Sequence, residues 1–533
     1  MYKVCIQAAG IGSRLSICNG LHKSLIPINK KSILSRIIDL YPENTEFIVL
    51  VGYKKEQIKA FLNITYPNLN IKYIEIKNFQ GEGSGPGYSL LQAKQFLNCP
   101  FIFMACDTIV LEKPPLPLEN WIGISNSSTC EEYLIAEVNR DKVSYYYDKK
   151  NKEFIYKNSL RYTDKKKQIF DAFIGLAGIK DYTVFWDALE VDSKLSKGEI
   201  QVTNGLKALI QDPFYTITKS FTWIDTGTNK SYSYARKYFK DNFITKSNEF
   251  LYKEKNKIIK CFLEPSKATK LYERSKFLEG INPKVKMSGD NFIWYEYVKG
   301  TLISNTNEKT IFLNFLNFLN KNLWSHKINS DVSSTSLENN ANKFYKLKTY
   351  ERVRKYIEIN KDADAIKWIN NNYVGSIYEL LKKVDWEKLN KGSFGKFHGD
   401  PQPENIIVQS KNKFVLIDWR EDFGGDLVHG DIYYDLGKIY HALIITHKKI
   451  REKKYHVHFT KDFAFYKFSK RRNLIKYLQY FEKFIIENDF DLYKVKLVST
   501  LIYLNIAPLH HNPYSQLLFF HGKLELYKLL KKP

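Results

Sequence analysis

Patterns that build disulfide or zinc frameworks are missing from this sequence. Its 533 residues include six cysteines, but none forms a Cys-x-x-Cys pair or a cluster with metal-ligand spacing. Small disulfide scaffolds and structural zinc modules are therefore excluded as classes. The cysteine usage predicts a reducing compartment, the cytoplasm, as the location.

Long apolar runs are missing as well. No stretch of 18 apolar residues occurs, although a helix needs about 20 to cross a bilayer. The first residues enter an apolar strand without the charged segment and apolar core of a secretion signal. The sequence predicts a soluble chain that is neither secreted nor membrane-spanning.

Acidic residues are fewer than basic ones. The sequence has 57 Asp and Glu residues and 82 Lys and Arg residues, which gives a net charge of +25. A basic surface attracts nucleic acid without specificity. The lysines are scattered among Asn, Ile and Tyr and form no stripe, which indicates a bias in residue usage. A triphosphate substrate accounts for part of the excess, and contact with an anionic membrane surface stays open. We predict no nucleic-acid partner and keep a nucleic-acid-binding scaffold as a competing hypothesis.

The most informative stretch, residues 397–419, reads FHGDPQPENIIVQSKNKFVLIDW. Phosphoryl transfer from a nucleotide needs a carboxylate that orients the attacking hydroxyl and accepts its proton. It also needs an amide oxygen and a second carboxylate that hold Mg²⁺. Asp400, Asn405 and Asp418 have the residue types and the spacing for these roles, in that order. Residues 405–417 predict a hairpin that brings Asn405 and Asp418 together at its open end.

This stretch resembles the catalytic loop of the aminoglycoside phosphotransferase and choline kinase family, small-molecule kinases with a two-lobed, protein-kinase-like α+β fold. The resemblance implies ATP as phosphoryl donor. Lys260, in an Ile-Ile-Lys strand, matches the lysine that contacts the α- and β-phosphates, and Glu273 is its expected partner. A surface lysine is the alternative. Glu296 lies where a strand runs into the expected purine-binding hinge, and Asp435 is expected to brace the catalytic loop.

Weaker patterns surround this loop. Residues 308–324 predict an amphipathic core helix, and the Ser- and Asn-rich residues 329–342 predict a mobile loop. Residues 477–486 and 495–506 predict helices that build the acceptor pocket.

Two residues after the loop bear on the acceptor. Trp419 and the nearby tyrosines either enclose a quaternary ammonium or pack in the core. Choline kinases tend to carry an acidic residue where this chain has Arg420. An arginine there suits a carboxylate or phosphate on the acceptor, or a salt bridge with Asp422.

The N-terminal half opens on a short strand and a glycine turn. Residues 8–14 read AAGIGSR, and Lys23 stands nine residues after Arg14. Glycines after a strand let backbone N–H groups close around a phosphate. Two cations beyond such a turn suit a triphosphate whose pyrophosphate must leave. The third glycine of a dinucleotide fingerprint and the Gly-Lys-Ser/Thr of a P-loop are both missing.

This opening resembles that of sugar-1-phosphate nucleotidylyltransferases and the related phosphocholine cytidylyltransferases. The resemblance implies catalytic contacts of Arg14 and Lys23 with the phosphates. It also implies nucleotide binding by Ala9, Gly10, Gly12 and Ser13. Residues 80–87 are rich in glycine where that family binds the base, so the candidates for base contact are Gly85, Gly87 and Ser89. A flexible turn before a helix is the alternative.

Two carboxylates complete the N-terminal set. Asp107 ends an apolar strand, and Asp225 lies in a Trp-Ile-Asp-Thr-Gly-Thr segment that resembles one in hexose-1-phosphate nucleotidylyltransferases. Together they would hold the Mg²⁺ that bridges the α-phosphate and the incoming phosphomonoester. As an alternative, Asp225 caps a helix that begins near Asn229.

The acceptor of this half is less defined. Residues 171–178 predict a strand, and residues 198–203 resemble a Gly-Glu-x-x-x-Thr segment of the same family. Hexose-specific members use a Glu-Lys-Pro far downstream of the metal carboxylate, whereas residues 112–114 follow Asp107 almost directly. We interpret them as a loop. A hexose 1-phosphate acceptor is thus in doubt, and phosphorylated amino alcohols and polyols stay open.

Length and alternation set the architecture. A chain of 533 residues should hold two or more domains. Strands alternate with helices through the N-terminal half, which predicts an α/β fold with a doubly wound, mostly parallel sheet. We expect a nucleotidylyltransferase domain over 1–243 and a small-molecule kinase domain over 244–533, with a polar linker at 240–248.

The two chemistries are consecutive. The C-terminal half would phosphorylate a hydroxyl with ATP, and the N-terminal half would couple that phosphate to a nucleotide from CTP or UTP, each with Mg²⁺. The acceptor would be an amino alcohol, polyol or sugar, and the product a precursor for surface polysaccharide. The alternatives are a hexose or heptose 1-kinase fused to a pyrophosphorylase, and a non-catalytic nucleotide-binding regulatory protein. The pyrimidine base and assembly into a homo-oligomer stay open.

Overall fold

The chain divides into two compact units in the computed structural model. The residues that the structure describes are 2–18, 20–128, 132–147, 161–162, 168–195, 198–241, 248–325 and 333–531. The first unit contains residues 1–268 and 287–295, and the second contains residues 269–286 and 296–533. Most of the predicted linker lies outside the described residues, and the predicted boundary between residues 243 and 244 stays a prediction.

A mixed sheet forms the centre of the first unit, with ten strands in the described residues. Its path runs through Ile71–Glu75, Glu46–Val51, Lys3–Ala8, Phe101–Ala105, Gln168–Ile179, Trp121–Ser127, Ile217–Ser220, Lys142–Tyr147 and Ile135–Asn139. Arg161–Tyr162 pairs with Gln168–Ile179 off this path. The α-helices described in this unit are Ile33–Ile38, Lys55–Thr65, Pro86–Leu91, Tyr182–Leu195, Thr203–Ala208 and Asn229–Tyr238.

The predicted parallel order holds for one end of this sheet. The four strands from Ile71–Glu75 to Phe101–Ala105 run parallel, as the alternation of strands and helices predicts. Gln168–Ile179 then runs antiparallel to its neighbours, and a two-residue turn joins the antiparallel strands Ile135–Asn139 and Lys142–Tyr147. Trp121–Ser127 and Ile217–Ser220 pair in parallel in this second part, but its other pairings are antiparallel, so the prediction of a mostly parallel sheet is wrong there.

Both faces of the sheet are buried, as a doubly wound sheet requires. Side chains of a strand alternate between its faces. Val4 and Ile6 accordingly pack in one apolar core, while Cys5 packs in another. Helices therefore cover both faces, and the strand ends are the places where polar side chains can gather.

A second, four-stranded sheet contains Glu249–Glu254, Lys257–Phe262, Phe292–Glu296 and Lys286–Ser288. Its residues fall almost wholly in the first unit. Tyr252 joins the core of that unit, because its ring packs 5.0 Å from that of Phe61 and its hydroxyl donates to the carbonyl of Leu25 at 2.8 Å.

The second unit is mostly helical. Its α-helices are Lys309–Leu319, Ser334–Asn342, Lys348–Ile359, Ile377–Lys382, Trp386–Asn390, Ile432–Ile444, His447–Arg451, Arg472–Glu487, Leu492–Ile506 and Tyr514–Lys531, and Pro265–Phe277 spans the division between the units. Short strands form a sheet of Thr301–Leu302, Ile406–Ser410 and Lys413–Leu416, a sheet of Asn372–Tyr373, Trp368–Ile369, Phe463–Phe468 and Tyr455–Phe459, and a pair of Phe394–Lys396 with His429–Asp431. Within the described parts of the chain, no helix combines the length and apolar character that crossing a bilayer requires.

One predicted loop is a helix. The mobile loop expected over 329–342 is wrong for Ser334–Asn342, which is helical. Leu337 and Ala341 stand four positions apart and are both buried, so one narrow face stabilises a segment whose other residues are polar. Residues 326–332 lie outside the described part of the chain.

Replacing Gly178 by alanine should destabilise the first unit. A Cβ atom at Gly178 would lie 2.2 Å from Nε1 of Trp121, which is buried. We expect Gly178→Ala to lower the free energy of unfolding by about 1–3 kcal/mol, the usual cost of overpacking. Urea unfolding followed by circular dichroism measures it.

Gly198→Ala is the matched control, since a Cβ there would meet no atom within 4 Å. Gly198→Ala reduces the conformational freedom of the unfolded chain to the same extent as Gly178→Ala. It should change the free energy of unfolding by less than about 0.5 kcal/mol. Equal effects of the two substitutions would contradict the packing argument.

Candidate functional site

Two carboxylates of the first unit are held at one end of a short strand pair. Asp107 follows a central strand of the main sheet, and Asp225 ends Trp223–Asp225, which pairs with Thr108–Val110. Thr226 joins the two segments, because its backbone N–H and its hydroxyl donate to the carbonyl of Asp107 at 3.1 and 2.7 Å. Backbone pairing therefore fixes both predicted metal ligands.

Three predicted site residues border the same small space. A Cβ atom at Gly227 would lie 3.3 Å from Oδ1 of Asp225, 3.4 Å from Oδ2 of Asp107 and 3.8 Å from Nη2 of Arg14. Because glycine has no side chain, this space stays open. The structure thus brings Arg14, Asp107 and Asp225 together, as the sequence predicts.

Lys23 joins this group through Asp107. Its Nζ donates to Oδ2 of Asp107 at 2.8 Å, and both side chains are largely buried. Burial alone would lower the pKa of Lys23, but the Asp107 carboxylate outweighs burial and raises that pKa above its ordinary value. Burial would likewise raise the pKa of Asp107, and Lys23 lowers it below its ordinary value. Both members of the pair are therefore charged at neutral pH.

Asp225 lies in a different electrostatic environment. Burial raises the pKa of Asp225 above its ordinary value, and the nearby Asp107 adds to the shift. The backbone N–H of Gly227 donates to Asp225 at 3.1 Å and opposes it. The alternative that Asp225 caps the following helix is wrong, since Thr228 is the N-cap residue of Asn229–Tyr238.

The residues present fit Mg²⁺. Mg²⁺ is usually held by one or two carboxylates together with substrate phosphates and water, and two carboxylate oxygens border the space beside Gly227. Across the described residues, no group of three or more His, Cys, Asp or Glu could hold a metal ion. Asp107 and Asp225 would therefore hold the ion jointly with a nucleotide's phosphates.

The first glycine turn packs against Lys23. Gly12 has a φ of 73°, and a Cβ there would lie 2.8 Å from Cδ of Lys23. Gly10 faces open space, with no atom within 4 Å of its Cβ position. Ala9 is buried and Ser13 is exposed. Gly12 is thus explained by close approach of the lysine stem, and the phosphate contacts of this turn stay a prediction.

The second glycine segment packs against backbone. Gly85 has a φ of 118°, and a Cβ there would lie 2.5 Å from the carbonyl oxygen of Ile200. The N–H of Gly87 donates to the same carbonyl at 2.8 Å, and the hydroxyl of Ser89 donates to the carbonyl of Gly85 at 3.1 Å. The turn is thus fixed by hydrogen bonds and is not the flexible alternative. Its contact with a base stays a prediction.

In the second unit, a buried carboxylate supports the predicted catalytic loop. Asp435 accepts hydrogen bonds from the backbone N–H groups of His398 at 2.9 Å and Gly399 at 2.6 Å. Burial raises the pKa of Asp435 to about 6, although these bonds oppose the shift. Asp435 therefore makes the bracing contact that the sequence predicts.

The three predicted catalytic positions lie around the open end of the hairpin. Nδ2 of Asn405 donates to the backbone carbonyl of Asp400 at 3.0 Å and to its Oδ2 at 3.2 Å. The N–H of Ile417 donates to the carbonyl of Asn405 at 2.9 Å. Asp418 comes next, with a φ of 61° that non-glycine residues adopt rarely, Asp being among the more tolerant. Because Nδ2 of Asn405 is bonded to Asp400, its Oδ1 is the atom that would bind Mg²⁺.

Lys438 is a site residue that the sequence reasoning missed. Its Nζ lies 3.0 Å from Oδ1 of Asp400. Burial would lower the pKa of Lys438, but Asp400 outweighs burial and raises it. Lys438 stands three residues after Asp435 on Ile432–Ile444, where one helix face presents both side chains. That spacing is the signal that could have found it.

Arg274 was also missed, and no local pattern points to it. Its guanidinium is fully buried and donates to the carbonyls of Arg420 at 3.0 Å, Leu427 at 2.7 Å and Phe397 at 2.6 Å. Burial lowers the pKa of Arg274 to about 10, so it stays charged at neutral pH. It fixes the two segments that flank Asp400 and Asp418.

The expected ATP-binding residues are spread over both units. Lys260 is buried on Lys257–Phe262 in the first unit. Glu273 belongs to the second unit, and its carboxylate bonds Lys276 at 2.8 Å. Glu296 is exposed at the end of its strand. The ion pair between Lys260 and Glu273 and the nucleotide contact of Glu296 stay predictions.

Comparison of the sequence with protein-family models and with curated protein sequences gives no match. Solved structures give weak likenesses. The CTP:phosphocholine cytidylyltransferase of Streptococcus pneumoniae has 16% identity and a TM-score of 0.36, over 44% of this chain and 98% of that chain. The inositol-1-phosphate CTP transferase of T. maritima has 14% identity and a TM-score of 0.34, over 46% and 98%. A UDP-glucose pyrophosphorylase has 18% identity and a TM-score of 0.35, over 46% and 100%. At these scores the likenesses assign no activity to this chain.

A buried carboxyl group lies beside the second site. Glu404 precedes Asn405, and neither of its carboxyl oxygens has a hydrogen-bond partner in the described structure. Burial raises the pKa of Glu404 from 4.5 to about 7, although the charges of Arg471 and Arg451 oppose the shift. Glu404 is therefore partly protonated near neutral pH.

This shift predicts a pH-dependent stability. Because the folded-state pKa exceeds the unfolded one, Glu404 favours folding fully below a pH of about 4.5 and loses that contribution as the pH rises through about 7. At ~1.4 kcal/mol per pKa unit, the loss reaches up to about 3 kcal/mol. Glu404→Gln removes it. The variant should gain stability over the wild type between about pH 5 and about pH 8, measured by urea unfolding.

Glu279→Gln removes an exposed carboxylate from the same unit and serves as control. Its difference from the wild type in the free energy of unfolding should be the same at about pH 5 and at about pH 8. A constant difference for Glu404→Gln as well would show that Glu404 titrates normally.

Proposed function

We propose that this chain is a bifunctional enzyme. It phosphorylates a small hydroxyl compound with ATP and then transfers a nucleotidyl group from CTP or UTP to the new phosphate. The observation that carries the proposal is that each unit contains its own carboxylate-centred site, around Asp107 in one and Asp400 in the other. The product would be an activated precursor for surface polysaccharide.

The nucleotidyl step would occur in the first unit. An oxygen of the phosphomonoester attacks the α-phosphorus of the triphosphate, the bond to the β-phosphate breaks, and pyrophosphate leaves. Arg14 and Lys23 would stabilise the charge that develops on the phosphates. Mg²⁺ held by Asp107 and Asp225 would supply further charge neutralisation.

The phosphoryl step would occur in the second unit. The acceptor hydroxyl attacks the γ-phosphorus of ATP, its proton passes to the carboxylate of Asp400, and ADP leaves. Lys438, 3.0 Å from Asp400, would hold that carboxylate in position before the acceptor binds. Asn405 and Asp418 would hold the Mg²⁺ that neutralises the triphosphate.

Acceptor and nucleotide can be identified together. The purified chain is incubated with Mg²⁺, ATP, CTP or UTP, and a panel of choline, ethanolamine, glycerol, amino acids and free sugars. ADP and pyrophosphate are followed separately. One acceptor that yields both products and a matching nucleotide conjugate supports the proposal. Absence of both products with every acceptor, followed by nucleotide binding without turnover, would favour the regulatory alternative.

Lys23→Ala should block the second reaction alone. Loss of a cation on the phosphates typically costs about 10²–10³ in rate, so pyrophosphate release should fall by that factor. ADP should still form, and the phosphorylated acceptor should accumulate, as measured by phosphorus NMR. Lys113→Ala removes an exposed lysine from the same unit and should behave like the wild type. If the intermediate does not accumulate, the two reactions are not consecutive.

Asp400→Asn should block the first reaction alone. Loss of a positioned general base costs about 10²–10⁴ in rate, so ADP formation should fall accordingly. Nucleotidyl transfer to a supplied phosphomonoester should persist. Asp489→Asn is the control, because Asp489 is exposed and its φ of 58° is one that Asn tolerates. Loss of both reactions in Asp400→Asn would contradict the two-site proposal.

A further inference from the structure

Two cations of the second unit approach the same aromatic ring. The guanidinium carbon of Arg420 lies 4.8 Å from the centre of the Phe344 ring, and Nζ of Lys348 lies 4.1 Å from it. Phe344 is buried. We call Arg420 and Lys348 the cation pair. The two like charges repel each other.

In the part of the chain that the structure describes, the guanidinium of Arg420 makes no direct ion pair, although the nearby carboxylates of Glu421, Asp400 and Asp422 favour its charge. Its Nε is buried and has no hydrogen-bond partner in the described structure. Nη1 makes a long contact of 3.5 Å with the hydroxyl of Tyr434. Asp422, the alternative partner expected from the sequence, bonds Lys270 at 2.9 Å instead. The salt bridge between Arg420 and Asp422 is therefore not formed.

The ammonium of Lys348 likewise makes no direct ion pair with a described residue. Within the described residues, its Nζ has no hydrogen bond and no carboxylate within ion-pair distance. Burial lowers the pKa of Lys348 well below its ordinary value, and the charge of Arg420 adds to the shift. Glu421 is an acidic neighbour that opposes the shift without making an ion pair. Lys348 is half-buried, and an anion that binds from outside would supply its ammonium with a direct partner.

The cation pair lies beside the catalytic loop. The backbone N–H of Arg420 donates to the carbonyl of His398 at 3.1 Å. A Cβ atom at Gly399, where φ is 86°, would lie 2.5 Å from Cβ of Arg420. The arginine stem is thus packed on the residue that precedes Asp400. A small molecule bound there could reach both groups.

We propose that Arg420 and Lys348 bind a carboxylate or phosphate group of the molecule whose hydroxyl lies against Asp400. The inference rests on the proposed kinase function and defines its substrate class as an anionic hydroxyl compound. An anion between the two cations would pair with both and offset their repulsion. A cationic amino alcohol such as choline would be repelled.

The test uses the full chain and four probes of similar size. Glycerate carries a carboxylate, glycerol 3-phosphate a phosphate, glycerol no charge and choline a positive charge. ADP formation with ATP and Mg²⁺ is measured for each, and binding is measured by calorimetry without ATP. We expect glycerate or glycerol 3-phosphate to bind at least about tenfold more tightly than the others, and their difference tells carboxylate from phosphate.

Substitutions assign the effect to the cation pair. Lys348→Gln should raise the KM or Kd of the anionic probe by about tenfold or more, because one charge-assisted contact is lost. Lys348→Arg should restore most of it. Lys355→Gln removes an exposed lysine from the same helix and should have no effect. Arg420→Gln should weaken binding further. If Arg420→Gln folds poorly, Lys348→Gln alone still tests the inference.

The outcomes separate this inference from the proposed function. If ADP forms with choline or glycerol as readily as with the anionic probes, the kinase function stands and the anionic site is overturned. If no probe yields ADP but an anionic probe binds and Lys348→Gln weakens it, the anion site stands and the kinase function fails. If neither anionic probe binds, or Lys348→Gln leaves binding unchanged, the inference is wrong.

Discussion

The geometry of the loop around Asp400 in the second unit depends on one buried carboxylate, that of Asp435. It accepts two consecutive backbone N–H groups, those of His398 and Gly399, which no strand or helix would otherwise pair. A buried N–H without an acceptor costs about 1–3 kcal/mol. Arg274 binds the acceptor groups of the flanking segments, because its guanidinium donates to three of their backbone carbonyls. Loop donors and loop acceptors are thus both bonded to buried charges, and Asp400 is fixed without regular secondary structure.

The first unit positions its charges differently. Lys23 and Asp107 neutralise each other directly, whereas Asp435 is bonded mainly to neutral backbone groups. Under the proposed function this difference has a reason. When a triphosphate binds, Lys23 can exchange its carboxylate partner for a phosphate, and Mg²⁺ held by Asp107 and Asp225 would supply positive charge beside those carboxylates. Asp107 would then keep a compensating charge, so binding need not leave an unpaired buried ion.

Sequence patterns predicted what depends on local chain order. The early strands and the hairpin after Asn405 follow from alternation and turn chemistry, whereas the pairing of Asp107 with Asp225 was predicted from a family resemblance. Arg274 escaped prediction because its partners lie more than 120 positions away, and nothing in its helix distinguishes it from a surface arginine. The helix Ser334–Asn342 escaped because only its packing, not its composition, favours it. Tertiary contact decided each of these features.

Burying a cation requires compensation, and the cations of this chain receive it in different ways. Lys23 and Lys438 are compensated by carboxylates, and Arg274 by backbone carbonyls. Arg420 and Lys348 contact an aromatic face, and Arg420 also makes one long contact to a hydroxyl. Carboxylates favour both charges from a distance, Glu421 among them, but none in the described parts of the chain makes an ion pair with either side chain. Under the proposed anion site, a bound anion beside Asp400 would supply that direct pair.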